Sequence, residues 1–448
     1  MYKIILAFRY LLRRRITYLA VLAVALCVFA VVVVMTVMTG LLRDFKAINH
    51  SWVGDCVVST DTLVGFPYYR EFVKILEERD FVGSVSPVIR SYGILTEPSG
   101  WNTSVEVMGI DPVKHSRTTG FAKTLYYHKD WPADAFKPDY DANLPGCVLG
   151  IDKVSARDQR GKYSHYSSIP RYSFTITCFP LTAGGALAKA GLGLVNTRRF
   201  YYSDDSHSGL AKVDGAFIYL PFADAQALCG MNGPVPRASA IHIKFKAGVN
   251  LQTGRNRVAK LWEDFLTGRG DGKQANLLSK VRVETWKDYR REVIAAVEKE
   301  QIMMMAAFGM IGIITVFIVF VVFYMVVSHK SKDIGILKSI GISNRDVIEL
   351  FLGFAFLVAV CGSAIGTAGG VLFLEKINRI ESWLYDHYGF QLWNRAIYAI
   401  DEIPNKIQFD IIAVIIVSAI AVCLVGALIP AWQAARLKPV ETLQVNQL

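Results

Sequence analysis

The chain has 448 residues, 52% hydrophobic and 19% charged, a balance that excludes a disordered or low-complexity protein. Its 49 Lys and Arg exceed its 38 Asp and Glu, giving a formal charge of +11. Nucleic acid and a membrane surface are therefore both open until the charge is located along the chain.

Residues 1–15 carry Lys3, Arg9, Arg13, Arg14 and Arg15 with no acid, and read as a cytoplasmic tail. A first membrane span is expected over 16–42, because no charge interrupts Ile16–Leu42. About 20 apolar residues at a rise of roughly 1.5 Å suffice to cross a hydrocarbon core of roughly 30 Å. This run is too long for a signal-peptide core, and no small-residue cleavage site follows it. Residues 43–300 are read as an extracytoplasmic α+β domain. A second span follows over 301–328, with Ile302–Ser328 free of charge. The connection 329–349 carries Lys330, Lys332, Lys338 and Arg345 against Asp333, Asp346 and Glu349. A third span is expected over 350–374, an outer loop over 375–410, a fourth span over 411–435 and a cytoplasmic tail over 436–448, where Arg436 and Lys438 face one acid, Glu441. By the positive-inside rule both termini and the 329–349 connection lie in the cytoplasm. No acidic or basic side chain sits inside a span, which argues against an ion pathway, and no repeat of the spans suggests a secondary transporter.

In the inserted domain, β-rich runs occur at Cys56–Ser59, Val85–Thr96, Ser104–Gly109, Ser173–Cys178, Ala216–Leu220 and Ala240–Phe245. Helical pattern covers Tyr68–Arg79, Phe222–Leu228 and Val258–Leu266. The stretch Asp130–Gly215 is dense in Gly, Pro, Ser and Tyr and reads as insertions and loops decorating the core. Cys56, Cys147, Cys178 and Cys229 allow three pairings in an oxidising compartment, and buried free thiols remain an equal alternative. Asp204-Asp205-Ser206-His207 reads as a solvated loop rather than a cation site. The charge of the domain forms no basic stripe, so nucleic acid is not an expected partner. Gly268–Lys273 is glycine-rich but lacks the phosphate-loop spacing, and no hydrolytic motif is present. The chain is therefore expected to be no enzyme, with no catalytic residue, metal or cofactor of its own.

The segment from Ser331 to Ile342 is too apolar for a free loop at the membrane surface. Ile334, Leu337 and Lys338 share i, i+3, i+4 spacing, so a short helix has an apolar and a basic side. Gly341 ends it, and Ser343-Asn344-Arg345-Asp346 has capping-box spacing for the third span. Such a helix either docks a soluble partner or lies among lipid headgroups.

Lys332-Asp333-Ile334-Gly335-Ile336-Leu337-Lys338-Ser339-Ile340-Gly341 resembles the cytoplasmic signature of the FtsX-like ABC-transporter permeases, which include MacB-type exporters. Pro430 to Leu443 is similar to their C-terminal signature, and Phe217–Gly230 resembles the end of their extracytoplasmic core. Three further stretches are similar to lipoprotein-releasing permeases of the LolC/LolE type: Ala7–Leu11, Val37-Met38-Thr39-Gly40-Leu41 and Ile397–Pro404. Residues 115–215 depart from that pattern. The resemblance implies a bacterial inner-membrane complex of two permease subunits, this chain with a copy or a sister chain, and two LolD-like ATPase subunits that bind ATP and Mg. It implies lipoprotein cargo taken from the outer leaflet, surrounding membrane lipids, and a LolA-like periplasmic carrier. ATPase coupling then falls to Lys332, Asp333, Ile334, Leu337, Lys338, Ile340 and Gly341. An acyl-chain groove falls to Val33, Val37, Met38 and Leu41 opposite Met303, Met304, Met305 and Phe308. Flexible, polarisable methionines suit chains of varying shape, although the same residues also read as plain lipid-facing helix. Two other functions remain within the wider family: MacB-type export of peptides or amphiphiles, and FtsX-like signalling to a cell-wall hydrolase.

Overall fold

The computed structural model describes residues 15–158, 162–187, 195–267, 275–329, 331–391, 393 and 402–437. Most of the N-terminal tail, Gly268–Lys273, residues 397–401 and everything after 437 lie outside these residues. In chain order the main helices are α1 (Arg15–Val53), α2 (Tyr69–Glu77), α3 (Phe222–Leu228), α4 (Leu251–Thr267), α5 (Arg291–His329), α6 (Ser331–Ser339), α7 (Asn344–Tyr388) and α8 (Phe409–Arg436). The strands are β1 (Cys56–Thr60), β2 (Phe66–Pro67), β3 (Val82–Thr96), β4 (Asn102–Ile110), β5 (Gly146–Gly150), β6 (Ser173–Cys178), β7 (Asn196–Ser206), β8 (Phe217–Pro221), β9 (Arg237–Ala238), β10 (Ala240–Phe245) and β11 (Val281–Thr285). The described residues divide into a helical unit (15–43, 296–393 and 402–437) and an α+β unit (44–295).

The helical unit is built on α1, α5, α7 and α8, each long and apolar enough to cross a membrane. Lipid tails are as apolar as Leu, so such helices associate through close packing, which small residues permit. Gly362, Gly366 and Gly370 form a ladder on α7 that receives α1. A Cβ at Gly362 would lie 2.8 Å from the Val24 side chain, and one at Gly370 would lie 3.0 Å from Val32. At Gly366 it would run into the Ala25 carbonyl oxygen. Gly426 of α8 meets α5 in the same way, 2.9 Å from the Val316 carbonyl oxygen. The buried face of α8 continues with Ala427, Pro430, Ala431, Ala434 and Ala435.

Helix α7 runs well past Leu374, to Tyr388, into the segment expected to be an outer loop. Charges begin at Glu375, which ends the apolar run, but Leu374, Ile377 and Glu381 remain on a buried face and sustain the helix. Gly389, at a φ of 65°, supplies the left-handed residue that stops it.

The α+β unit carries strands in the order β11-β1-β10-β3-β4-β8-β5-β7-β6, with a further β3–β6 pairing. Strand β3 is long enough to serve two assemblies. Its first half pairs with β10. Its second half pairs with β4 on one side and β6 on the other, closing β3, β4, β8, β5, β7 and β6 into a ring. Gly93 lies in this closing segment, where a Cβ would stand 2.9 Å from the Thr177 carbonyl oxygen. Helices α2 and α4 cover the open sheet through Phe72, Trp262 and Phe265; Phe72 meets Trp262 edge-on and Phe265 tilted, and Trp262 stacks on Phe265.

Residues 130–215 are not loop decoration: they supply β5, β6 and β7, three strands of the ring. The end of β7 is Ser203-Asp204-Asp205-Ser206, all buried, which corrects the solvated-loop reading. Polar partners inside the domain replace water, so no apolar alternation announced the strand.

Replacing Gly366 by Leu is expected to separate α1 from α7 at a cost of about 1–3 kcal/mol. Gly353→Leu, where a Cβ meets nothing among the described residues, should be near neutral. Thermal unfolding of the detergent-purified chain distinguishes the two variants; equal melting temperatures would contradict this packing.

Candidate functional site

Helix α6 is set off from α7 by a tight turn. Gly341 adopts a φ of 99°, breaking it from α7. Ser343 then caps α7, accepting from the Asp346 N–H (3.2 Å) while its hydroxyl donates to the Asp346 carboxylate (2.6 Å). On the inner side of α6, Ile334 is buried in the same apolar cluster as Val326, Val327, Val347, Ala431 and Ala434. Lys338 has a role that spacing alone did not reveal. Its ammonium donates to the carbonyl oxygens of Ala435 (2.7 Å) and Leu437 (2.8 Å), satisfying backbone acceptors at the end of α8. Arg436 lies 3.7 Å from the Trp432 ring in the same turn. Ile336 and Ile340, four residues apart, point outward and are 49% and 76% exposed. The side chains of Lys332, Asp333 and Leu337 lie outside those described.

An apolar cavity of about 310 Å³ lies among α1, α5 and α8. Val24, Cys27, Val28 and Val31 form one wall, Phe308 to Val316 the second, and Ile415 to Cys423 the third. Gly309 and Gly312 leave the room, since a Cβ at either position meets no described atom. Of the residues expected in a groove, Phe308 lines this cavity beside the middle of α1. Val33 and Val37 pack on the helical core. Leu41 is buried, Met38 and Met304 are half-buried, and Met303 and Met305 are exposed.

Two stretches that carried the family resemblance meet near the far end of α7. Pro404 packs on Gly40, where a Cβ would lie 2.7 Å from the proline side chain. Asn378 clamps the neighbouring backbone at both groups, donating to the Ile403 carbonyl (3.2 Å) and accepting from its N–H (2.9 Å). Asn405 donates to the Leu374 carbonyl (3.3 Å).

Within the α+β unit, the last turns of α1 are tied to the segment preceding α5. Arg290 donates to Asn49 (2.8 Å) and stacks over Trp52. His50 stacks on Trp286 and meets the Asp55 carboxylate at 2.7 Å. Burial disfavours the charged form of Asp55, but His50 and the Phe245 N–H hold its carboxyl below the usual range. A polar cavity of about 240 Å³ lies nearby, lined by Arg90, Tyr92, His242 and Tyr289 among others. Arg90 is already committed to Glu106 (2.9 Å) and Tyr289 (3.3 Å). His242 is fully buried, and desolvation together with the Arg90 charge lowers its pKa to about 3. Burial drives His115, across the same core, well below the imidazole range too.

The Asp204 cluster is internal bracing. Asp204 accepts backbone N–H groups from Tyr126, Tyr127 and His128, with the shortest bond at 2.8 Å. Asp205 takes the Tyr202 hydroxyl (2.8 Å) and meets His165 (3.3 Å). Among the described residues no group of His, Cys, Asp and Glu is arranged to hold a metal.

Ile336, Asn378 and the α7 glycine ladder were not singled out from sequence. The Gly-x-x-x-Gly-x-x-x-Gly spacing of 362, 366 and 370 is the signal that identifies the ladder.

Residues 305–439 match the family described as FtsX-like permease C-terminal, and residues 17–152 match the MacB-like periplasmic core domain. The lipoprotein-releasing system transmembrane protein LolC of Xylella fastidiosa (strain 9a5c) is 25% identical over 247 residues, 55% of each chain, so that match spans about half the relative's length. LolC of Neisseria meningitidis serogroup B is 23% identical over 446 residues, covering 96% of this chain and 94% of that one. The periplasmic region of MacB from Actinobacillus actinomycetemcomitans superposes with a TM-score of 0.33 at 13% identity, covering 56% of this chain and 97% of that structure.

Lys338→Met should lower stability by about 1–3 kcal/mol through the lost charge-assisted bonds to α8. Ile340→Ser, on the exposed side, should leave the melting temperature unchanged. For His242, a folded pKa of about 3 lies below the ordinary value of about 6.5, so the unfolded chain takes up a proton that the folded chain refuses. The stability this histidine contributes is present above pH ~6.5 and is lost on acidification towards its folded pKa, at up to about 1.4 kcal/mol per pH unit. His242→Asn should therefore flatten the fall in melting temperature between about pH 7 and 4.5; an unchanged slope would contradict the buried neutral imidazole.

Proposed function

Because the chain belongs to the FtsX-like ABC-transporter permeases of the LolC/LolE type, we propose that it is the membrane subunit of an ATP-driven complex that extracts lipoproteins from the outer leaflet of a bacterial inner membrane. Each buried CH₂ contributes about 0.8 kcal/mol, so three acyl chains of about 15 carbons represent roughly 35 kcal/mol of burial. Release into water is excluded by that sum. The chains pass from lipid to an apolar groove and from there to a periplasmic carrier.

The observation that carries this reading is the two-sided character of α6. Its inner side is fixed by Ile334 and by Lys338 on the end of α8, and its outer side presents Ile336 and Ile340. A separate ATPase, holding ATP and Mg, grips the outer side. Its closure moves the whole coupling segment, Lys332, Asp333, Ile334, Leu337, Lys338, Ile340 and Gly341, together with α7 and α8. Lys338 acts in this scheme as the fastening, and the exposed isoleucines as the grip. The cargo groove comprises Val33, Val37, Met38 and Leu41 with Met303, Met304, Met305 and Phe308, and extends into the cavity beside Phe308. A second permease subunit completes it. The tie between Asn49 and Arg290 keeps the outer ends of α1 and α5 in step.

The test is reconstitution of the permease with its ATPase in liposomes carrying a triacylated lipoprotein. Asp at both Ile336 and Ile340 should reduce ATPase association and lipoprotein release at least tenfold without lowering the melting temperature. Release at the wild-type rate would overturn the docking assignment. Failure of the wild-type pair to release any lipoprotein would overturn the transport reading itself.

A further inference from the structure

Buried Ser91, Gly93, Cys178 and Cys229 and half-buried Asn196 converge where the strand ring closes. Cys178, the last residue of β6, pairs across the ladder with Gly93 of β3 on one side and with Asn196 of β7 on the other. The Asn196 amide donates to the carbonyl oxygens of Ala227 (3.1 Å) and Leu228 (3.0 Å), drawing the last turn of α3 onto the strand pair. Cys229 is the next residue. Its thiol is hydrogen-bonded to Cys178 and to Ser91, two positions before Gly93 on β3. Gly93 makes the space, for a Cβ there would lie 3.1 Å from the Cys178 sulfur. Cys56 sits on β1 and Cys147 on β5, strands that do not neighbour one another in the sheet. Of the four cysteines, the geometry brings Cys178 and Cys229 together and leaves Cys56 and Cys147 apart.

We propose that Cys178 and Cys229 form a structural disulfide in the mature protein, joining the end of β6 to the end of α3. The inference rests on the reading of this domain as facing an oxidising compartment. The oxidant is an exogenous disulfide, borne by a thiol–disulfide oxidoreductase or a small molecule. The first step, written for Cys229 although either thiol can take it while the ring is still open, is loss of its proton to give the attacking thiolate. It opens the oxidant's S–S bond and releases one thiol. Cys178 then loses its proton and displaces the second oxidant thiol from the mixed disulfide. The two protein thiols give up two electrons and two protons, and the oxidant disulfide becomes two thiols. Both cysteines are buried in the folded domain, so the bond forms before the ring closes and is afterwards shielded from reductants. The closed loop contains β7, β8 and α3, and so encloses β7, the strand that the sequence left illegible.

The full chain is purified from membranes in N-ethylmaleimide, denatured and peptide-mapped without reduction. A linked Cys178–Cys229 peptide is expected, with alkyl adducts on these two residues only after reduction and with Cys56 and Cys147 alkylated throughout. Cys229→Ser should leave Cys178 alkylated without reduction. Adducts on both residues of the unreduced wild-type chain, or a bridge to a different cysteine, overturn the proposal. A Trp101→Cys variant, in the exposed β3–β4 turn, locates the cause when labelled in spheroplasts with a membrane-impermeant maleimide. Labelling at 101 without a bridge means that the pairing is wrong, and no labelling at 101 means that the compartment reading has failed.

Discussion

Inside a bilayer no water is released when two helices meet, so helix pairs hold together only through contacts close enough for dispersion to act. The α1–α7 seam meets this constraint with Gly362, Gly366 and Gly370, which bring the α1 backbone directly against α7. The remaining features of the helical unit use that seam as a fixed frame. With α1 committed to α7 on one side, its other side borders the cavity shared with α5 and α8. With α7 fixed, the capped turn at Ser343 fixes where the chain leaves α6, and Ile334 and Lys338 set the position of α6 against α8. In the proposed coupling scheme, a displacement of α6 would act on helices that are already in backbone contact.

The α+β unit solves a different problem, that of polar groups held away from water. Asp204 gathers three backbone N–H groups from one loop. Arg237 spreads its guanidinium over the carbonyls of Val64, Leu181 and Gly230. Asn196 uses its side-chain amide to hold the carbonyls of Ala227 and Leu228 at the end of α3. Each group costs desolvation and recovers it only in one geometry, which gives such contacts specificity beyond their modest net energy.

Hydropathy made the four long helices readable because charge-free runs of that length have few other uses, and Ser343 to Asp346 announced the start of α7 through local chemistry alone. The continuation of α7 past Leu374 was hidden, because hydropathy measures the bilayer and the helix outlasts it. Strand β7 was hidden because its buried end is polar, and polar partners arrive from residues far away in sequence. Lys338 looked like a docking charge by its spacing on α6. Its carbonyl partners on α8 lie about a hundred positions further on, beyond any periodicity argument. Strands β1, β3 and β10 were legible as β-branched and apolar runs, whereas their pairing was not, and closure through β6 depends on the single missing side chain of Gly93.

Pro404 rests on Gly40 with no space for an added methyl group, and the two residues come from opposite ends of the chain. Neither position can drift independently: a bulkier residue at the first demands a retreat of the second, and a shifted second residue uncovers the bare backbone of the first. Homologues should inherit the two as a linked character, and chimaeras that take the amino-terminal third from one lineage and the carboxyl-terminal third from another should be most sensitive to mismatch at this junction.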